Sequence, residues 1–193
     1  MSCGATSPLV ISLTLWLIVA AAAVALELRF ANRKTGDSTP DARAMNTVMV
    51  MMTLMSMVTP LIGRVVPALA AGPLLIAAGF ALGLFGLSLR AWAMTALGVR
   101  YALTPQAQTS DHFLVIDGPY RIVRHPGYTG IILQFLGMGL MLSPIVAVVA
   151  ILPLMLFTGL RIVGEEKILH REFATDYPQY ARTVRWRLLT WIY

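Results

Sequence analysis

The stretch P-G-Y-T-G-I-I-L-Q-F-L-G-M-G-L-M-L-S-P-I-V-A-V-V-A-I-L-P-L-M-L-F-T-G-L-R-I-V-G-E-E, residues 126–166, is two apolar runs interrupted only at Leu142-Ser143-Pro144. So short a break predicts an antiparallel helical hairpin. From Pro126 the chain climbs 17 residues to the turn and then descends a similar number to Arg161. At 1.5 Å rise per residue each leg is about 25 Å, so the two legs end at similar depth. The polar corner Arg124-His125-Pro126 therefore returns opposite Gly159–Glu166, G-L-R-I-V-G-E-E.

Composition says where such a hairpin sits. Of 193 residues, 58% are hydrophobic and 12% charged, against roughly a quarter charged in ordinary soluble domains. No soluble core hides that much apolar surface, and the expected fold is an all-α polytopic membrane protein. Five segments approach the ~20 apolar residues of a spanning helix: Pro8–Leu28, Met45–Val66, Pro73–Leu97, Pro126–Leu142 and Pro144–Ile162. The chain reads as one domain, 1–193, with three spans in 1–97. A loop, the hairpin and a cytosolic C-terminal amphipathic helix occupy 98–193.

Five spans put the termini on opposite sides. The loops Arg29–Arg43 and Arg90–Arg124 and the tail from Arg161 then share one face and carry fourteen of the fifteen Lys and Arg residues, with Arg64 alone opposite. The positive-inside rule places the N-terminus outside and that face in the cytoplasm, with the protein in the cell (inner) membrane. The net charge of +6 is thus read as orientation, and no nucleic-acid partner is expected. No Lys or Arg precedes the first apolar run, so a cleaved signal peptide is not expected. Cys3, the single cysteine, makes no internal disulfide.

Several intramembrane residues have packing explanations. Gly79 and Gly83 form a G-x-x-x-G that lets helices approach closely, and Gln134 reads as helix–helix glue. Pro60 and Pro153 are expected to kink their helices. The methionines of the second span, among them Met51, Met55 and Met57, are filler or an adaptable wall for a lipid tail.

The two ends of the hairpin carry the chemistry. Pro126 suits the first turn of a helix; the remaining amides of that turn, with Arg121 and Arg124 near, favour an anion. Arg161 and Glu165 lie four apart on one helix face, and Glu165-Glu166 add negative charge where a carboxylate is costly unless paired or functional. The same spacings also describe an ordinary ion pair, two topology anchors and a helix-capping His125. A ligand with an anionic end plus ammonium and sulfonium centres, such as S-adenosyl-L-methionine, suits this division. No dinucleotide or P-loop fingerprint and no metal-ligand spacing is present, so no metal is expected.

Together G-P-Y-R-I-V-R-H-P-G-Y-T-G (118–130), the hairpin, R-I-V-G-E-E-K-I-L (161–169) and F-A-T-D-Y-P-Q-Y (173–180) closely resemble the isoprenylcysteine carboxyl methyltransferase family and its prokaryotic relatives, over roughly residues 92–189. The resemblance implies an integral-membrane enzyme using S-adenosyl-L-methionine in a cytosol-facing pocket. Its cofactor contacts fall on His112, Phe113, Leu114, Val115, Tyr120, His125, Pro126, Gly127, Tyr128 and Glu165, and on Gln106 once a one-residue gap is allowed. Arg161 matches the substrate-facing arginine, and Arg161 and Glu165 are the expected catalytic pair.

The expected chemistry is in-line methyl transfer to a lipophilic small molecule or lipidated acceptor drawn from among membrane lipids, accelerated by positioning and exclusion of water. A carboxylate acceptor needs no general base; an amine or thiol would turn to Glu165 or Glu166. Two other readings share parts of the pattern: an NADPH-dependent sterol-type reductase, through R-H-P-x-Y-x-G and the ending V-R-W-R-L-L-T-W-I-Y, and a non-catalytic membrane protein of the same fold.

Overall fold

The computed structural model describes residues 7–31, isolated helical positions between 50 and 61, 70–98 and 114–188. Among these residues the structure is helical. Helix α1 is Pro8–Ala31, α2 Pro73–Leu97, α3 Pro126–Leu142, α4 Pro144–Glu172 and α5 Asp176–Thr183, with a 3-10 turn at Gly118–Arg121. The last four residues of α1 lie where its apolar run gives way to Leu28-Arg29-Phe30-Ala31. α2, α3 and α4 each begin on a proline, which is pre-set for helix and lacks the amide that the first turn would leave unbonded.

Three of the helices, Pro8–Phe30 in α1, Pro73–Leu97 and Pro144–Glu172, are long and apolar enough to cross a membrane, and the protein is an integral membrane protein. The fourth expected span forms as an apolar helix of 17 residues, about 25 Å long at helical rise and therefore shorter than a ~30 Å hydrocarbon core. The expected second span, Met45–Val66, falls mostly outside the described residues; its described positions are helical, with Met51 and Met55 exposed and Met57 and Leu61 packed on the core.

α2 and α3 are antiparallel and meet through glycine. A Cβ on Gly79 would lie 2.7 Å from the Gly137 carbonyl oxygen, and one on Gly130 would lie 2.7 Å from both Arg90 N and the Gly86 carbonyl oxygen. At Gly86 and Gly137 the added carbon would collide with the Gln134 and Gly83 amide nitrogens. The two backbones are in van der Waals contact, the close approach that small residues permit in a membrane. At the far end Ala71 N donates to the Leu142 carbonyl (3.1 Å). Gln134 is fully enclosed in this interface.

The hairpin forms as the sequence predicts. Ser143 is the sole non-helical residue between α3 and α4, and Met138, Met141, Leu142 and Leu154 are wholly buried beneath it. α4 does not stop at Ile162; it continues unbroken to Glu172 and passes Pro153 without ending. The extra ten residues, about 15 Å of helix, carry Glu165, Glu166 and His170 beyond the apolar run. α5 then turns Tyr177 and Tyr180 inward against Leu114, Leu169 and Phe173.

Candidate functional site

Gly118 opens the 3-10 turn with φ 61°, a left-handed conformation that glycine adopts without strain; a side chain there would also press on Trp92 Nε1, 3.3 Å away. The turn leads through buried Val123 to Arg124 and His125. These two amides do not stay open for an anion. Arg124 N donates to the Trp186 carbonyl (2.9 Å) and His125 N to the Arg187 carbonyl (2.8 Å), while Tyr128 N and Thr129 N both donate to the His125 carbonyl (3.1 Å). The chain after α5 thus lies across the start of α3, and Thr129 Oγ1 donates to Leu188 O (2.6 Å).

The arginines expected to attract an anion are also otherwise engaged. Arg121 Nη2 pairs with exposed Asp117 Oδ1 (2.7 Å) at the surface. Arg124 Nη1 pairs with Glu166 Oε1 (2.8 Å). Among the described residues, the amides of Arg124, His125, Tyr128 and Thr129 and the guanidinium groups of Arg121 and Arg124 thus already have partners within the chain.

What does assemble is a compact charged cluster at the open end of the hairpin. Arg161 Nε donates to Tyr128 Oη (2.6 Å) and to Glu165 Oε1 (3.1 Å), and Tyr128 Oη donates to the same carboxylate oxygen. His125 Nδ1 lies 3.8 Å from Glu165 Oε2 and its Nε2 3.4 Å from Glu166 Oε1. His125 and Glu165 are 40 residues apart in the sequence and adjacent in space, as the hairpin requires. The two carboxylates differ in access: the Glu165 side chain is 30% exposed, Glu166 only 7%.

Glu166 is the centre of a second, buried knot. Besides Arg124, it receives Arg187 Nη2 (2.8 Å) and Nε (3.0 Å) on Oε2. Arg124 Nη2 reaches the Arg185 carbonyl (3.3 Å), and His170 Nδ1 donates to the Glu166 carbonyl (2.7 Å). The His170 ring meets Tyr177 edge-on at 4.7 Å. Burial, then the nearby Glu166 carboxylate, pushes the Tyr177 hydroxyl up to about 12, and burial drives Tyr180 higher still. Tyr180 Oη donates to the Tyr120 carbonyl (2.8 Å), fixing the loop to α5.

Of the residues singled out in the sequence, His125, Tyr128, Arg161 and Glu165 come together. Pro126 is buried at the first position of α3, and the Gly127 carbonyl accepts from Arg90 Nη1 (3.4 Å). Leu114 packs under α5, and Val115 and Tyr120 are half-buried in the same loop. Gln106, His112 and Phe113 lie outside the described residues. Two features escaped the sequence reading. Arg187 had no role beyond topology, although two adjacent carboxylates at membrane depth need more than one cation. Arg90, which pairs with Glu27 of α1, had been placed as a loop charge, although each residue sits within an apolar helix that calls for a partner.

A model of the isoprenylcysteine carboxyl methyltransferase family matches residues 79–171, from the first interface glycine of α2 to the last turn of α4. The chain is 32% identical over 108 residues to a probable protein-S-isoprenylcysteine O-methyltransferase of Oryza sativa subsp. indica, covering 55% of this chain and 56% of that one. It is 36% identical over 101 residues to the protein-S-isoprenylcysteine O-methyltransferase of Schizosaccharomyces pombe (51% and 43%) and 37% identical over 112 residues to that of Rattus norvegicus (57% and 39%). The chain thus spans about half the length of these curated relatives, or less. These matches do not favour the reductase reading, and the F-A-T-D-Y-P-Q-Y stretch lies beyond the segment the family model covers. Through residues 79–171, which hold the glycine interface, the His125 corner and the Arg161–Glu165 pair, the chain is similar to the isoprenylcysteine carboxyl methyltransferase family.

Proposed function

We propose that this protein is an S-adenosyl-L-methionine-dependent methyltransferase acting on the carboxylate of a lipophilic, isoprenylcysteine-like acceptor at the cytosolic membrane face. The observation that carries this reading is the approach of His125 to Glu165 (3.8 Å) with Arg161 and Tyr128 on the same carboxylate.

The residues present suit a cationic donor. Glu165 Oε1 is occupied by Tyr128 and Arg161, whereas Oε2 faces the imidazole beyond hydrogen-bond range and the side chain keeps 30% exposure. It is a reachable carboxylate with acceptor capacity to spare. His125, Pro126, Gly127, Tyr128 and Glu165 would hold the donor, with Leu114, Val115 and Tyr120, and with Gln106, His112 and Phe113, which lie outside the described residues. When bound, S-adenosyl-L-methionine supplies an electrophilic methyl group. Arg161 holds the acceptor carboxylate by charge-assisted hydrogen bonds, Tyr128 keeps Arg161 and Glu165 in register, and no general base is required of the protein. Orientation and exclusion of water supply the acceleration.

The reading takes the whole 193-residue chain as one catalytic membrane unit with five crossings. Support comes from the direction of α1: Val19 lies beside Gly83 and Glu27 pairs with Arg90, so α1 runs parallel to α2. Two parallel spans need a crossing between them, and the hairpin adds two more. The charge asymmetry then puts the Arg161 end in the cytoplasm of a cell-membrane protein, N-terminus outside. Purified protein in lipid nanodiscs, given methyl-tritiated S-adenosyl-L-methionine and N-acetyl-farnesylcysteine, should yield a base-labile methyl ester. Labelling of a lipid amine in place of that ester would overturn the acceptor; heat on titration with NADPH and none with S-adenosylhomocysteine would overturn the chemistry.

A further inference from the structure

Residues 185–188 have no regular secondary structure, yet they are fastened across the corner that begins α3. Arg124 N and His125 N donate to the Trp186 and Arg187 carbonyls (2.9 and 2.8 Å), Arg124 Nη2 reaches the Arg185 carbonyl, and Thr129 Oγ1 donates to Leu188 O. Arg187 is doubly tied. Its carbonyl accepts from the His125 amide, and its guanidinium lies on Glu166 Oε2. Glu166 Oε1 in turn meets Arg124 and faces His125 Nε2 at 3.4 Å. Glu166 is 5% exposed and its two oxygens are taken by groups from both sides of the crossing. A buried carboxylate so committed is poorly placed to touch a ligand and well placed to hold other groups.

We propose that Glu166 is a positioning residue: through Arg124 and Arg187 it clamps the segment Arg185–Leu188 over the His125 corner and thereby fixes the imidazole edge that faces Glu165. The inference rests on the methyl-donor reading of that corner. Removing the Glu166 charge leaves two guanidinium groups without their shared partner in a poorly solvated place. Once Arg187 lets go, the carbonyl on the His125 amide loses its register. The effect falls on the donor side, because Arg161 is set on Glu165 and Tyr128 and not on this clamp.

The full-length protein in nanodiscs, as Glu166→Gln and Arg187→Gln, tests this. Hydrogen–deuterium exchange at the Arg124 and His125 amides should accelerate about tenfold or more in both variants, and not in Glu165→Gln. In methyl-transfer kinetics the donor KM should rise roughly tenfold, with kcat and acceptor KM within about twofold. The double variant should be no worse than either single one, because the two residues act as one unit, and Glu166→Asp should recover part of the loss. If Glu166→Gln fails to fold, Arg187→Gln, whose side chain is 31% exposed, carries the same readouts. A fall in kcat with both KM values unchanged means a smaller active fraction and would overturn the positioning role, as would additive losses in the double variant. Were the wild type to transfer no methyl group, the function would be wrong, and amide exchange alone would then decide the clamp: unchanged exchange overturns it.

Discussion

Arg161 and Glu165 stand four residues apart on α4, a spacing at which an arginine and a glutamate pair unaided, yet Tyr128 from α3 joins them: its hydroxyl accepts from Arg161 Nε and donates to Glu165 Oε1. The pair was legible in the sequence because its spacing is local. The third member was legible only through the family resemblance, since nothing in the α3 sequence says which side chain will face α4. Glu166 was legible as a carboxylate that needs a partner, but its contact with Arg187 was not, because that contact depends on the chain returning across its own earlier corner, 21 residues downstream. Tyr128→Phe keeps the ring and removes the link. Hydrogen bonds to charged groups are worth about 1.5–3 kcal/mol, so kcat/KM should fall roughly ten- to hundredfold, with thermal stability in detergent little changed. Steady-state kinetics with a farnesylcysteine acceptor would show it; unchanged kcat/KM would remove Tyr128 from the site.

At the level of helices, the sequence reading gave Gly79 and Gly83 one shared role, and the structure separates them. A methyl on Gly79 meets the Gly137 carbonyl at 2.7 Å, whereas one on Gly83 finds Val19, Gln134 and Met138 atoms at 3.6–3.8 Å, ordinary contact distance. Gly86, Gly130 and Gly137, which no spacing rule had singled out, are as crowded as Gly79. Which small residue faces a partner depends on the register between α2 and α3, and that register is absent from either helix read alone. Gly86→Ala and Gly137→Ala must push two backbones apart and should destabilise by roughly 1–3 kcal/mol or more, while Gly83→Ala should be neutral within about 0.5 kcal/mol. Thermal unfolding in detergent, followed by intrinsic tryptophan fluorescence, ranks the variants. Equal losses at Gly83 and Gly86 would contradict the register. Because Gly130 packs on Arg90, and Arg90 reaches both Glu27 and the Gly127 carbonyl, this interface also sets the depth of the His125 corner.

For the molecule as a whole, direction matters more than count. The hairpin was legible because Leu142-Ser143-Pro144 leaves no room for any other connection, and the charge asymmetry was legible because it is a property of composition along the chain. The shortness of α3 was legible too, its bounds being those read from the sequence; the run of α4 to Glu172 was not, since hydropathy ends at Ile162 while backbone hydrogen bonding continues. The parallel course of α1 and α2 is a structural fact that the sequence only implied, and it has a consequence that can be measured. The starts of α1 and α2 must lie on one side of the membrane and α5 on the other. In a Cys3→Ser background, Ser7→Cys and Gly72→Cys should react with a membrane-impermeant maleimide from the same side of sealed vesicles, and Thr183→Cys only from the opposite side. Gly72 has open space around its Cα and Ser7 and Thr183 are exposed, so none of the three substitutions disturbs packing. Labelling of Ser7→Cys together with Thr183→Cys, and from the side opposite to Gly72→Cys, would mean that the chain between α1 and α2 does not cross. The fourteen cations gathered by the five-crossing arrangement would then be divided between both faces, and the site built on Arg161 and Glu165 would lose its assignment to the cytoplasm.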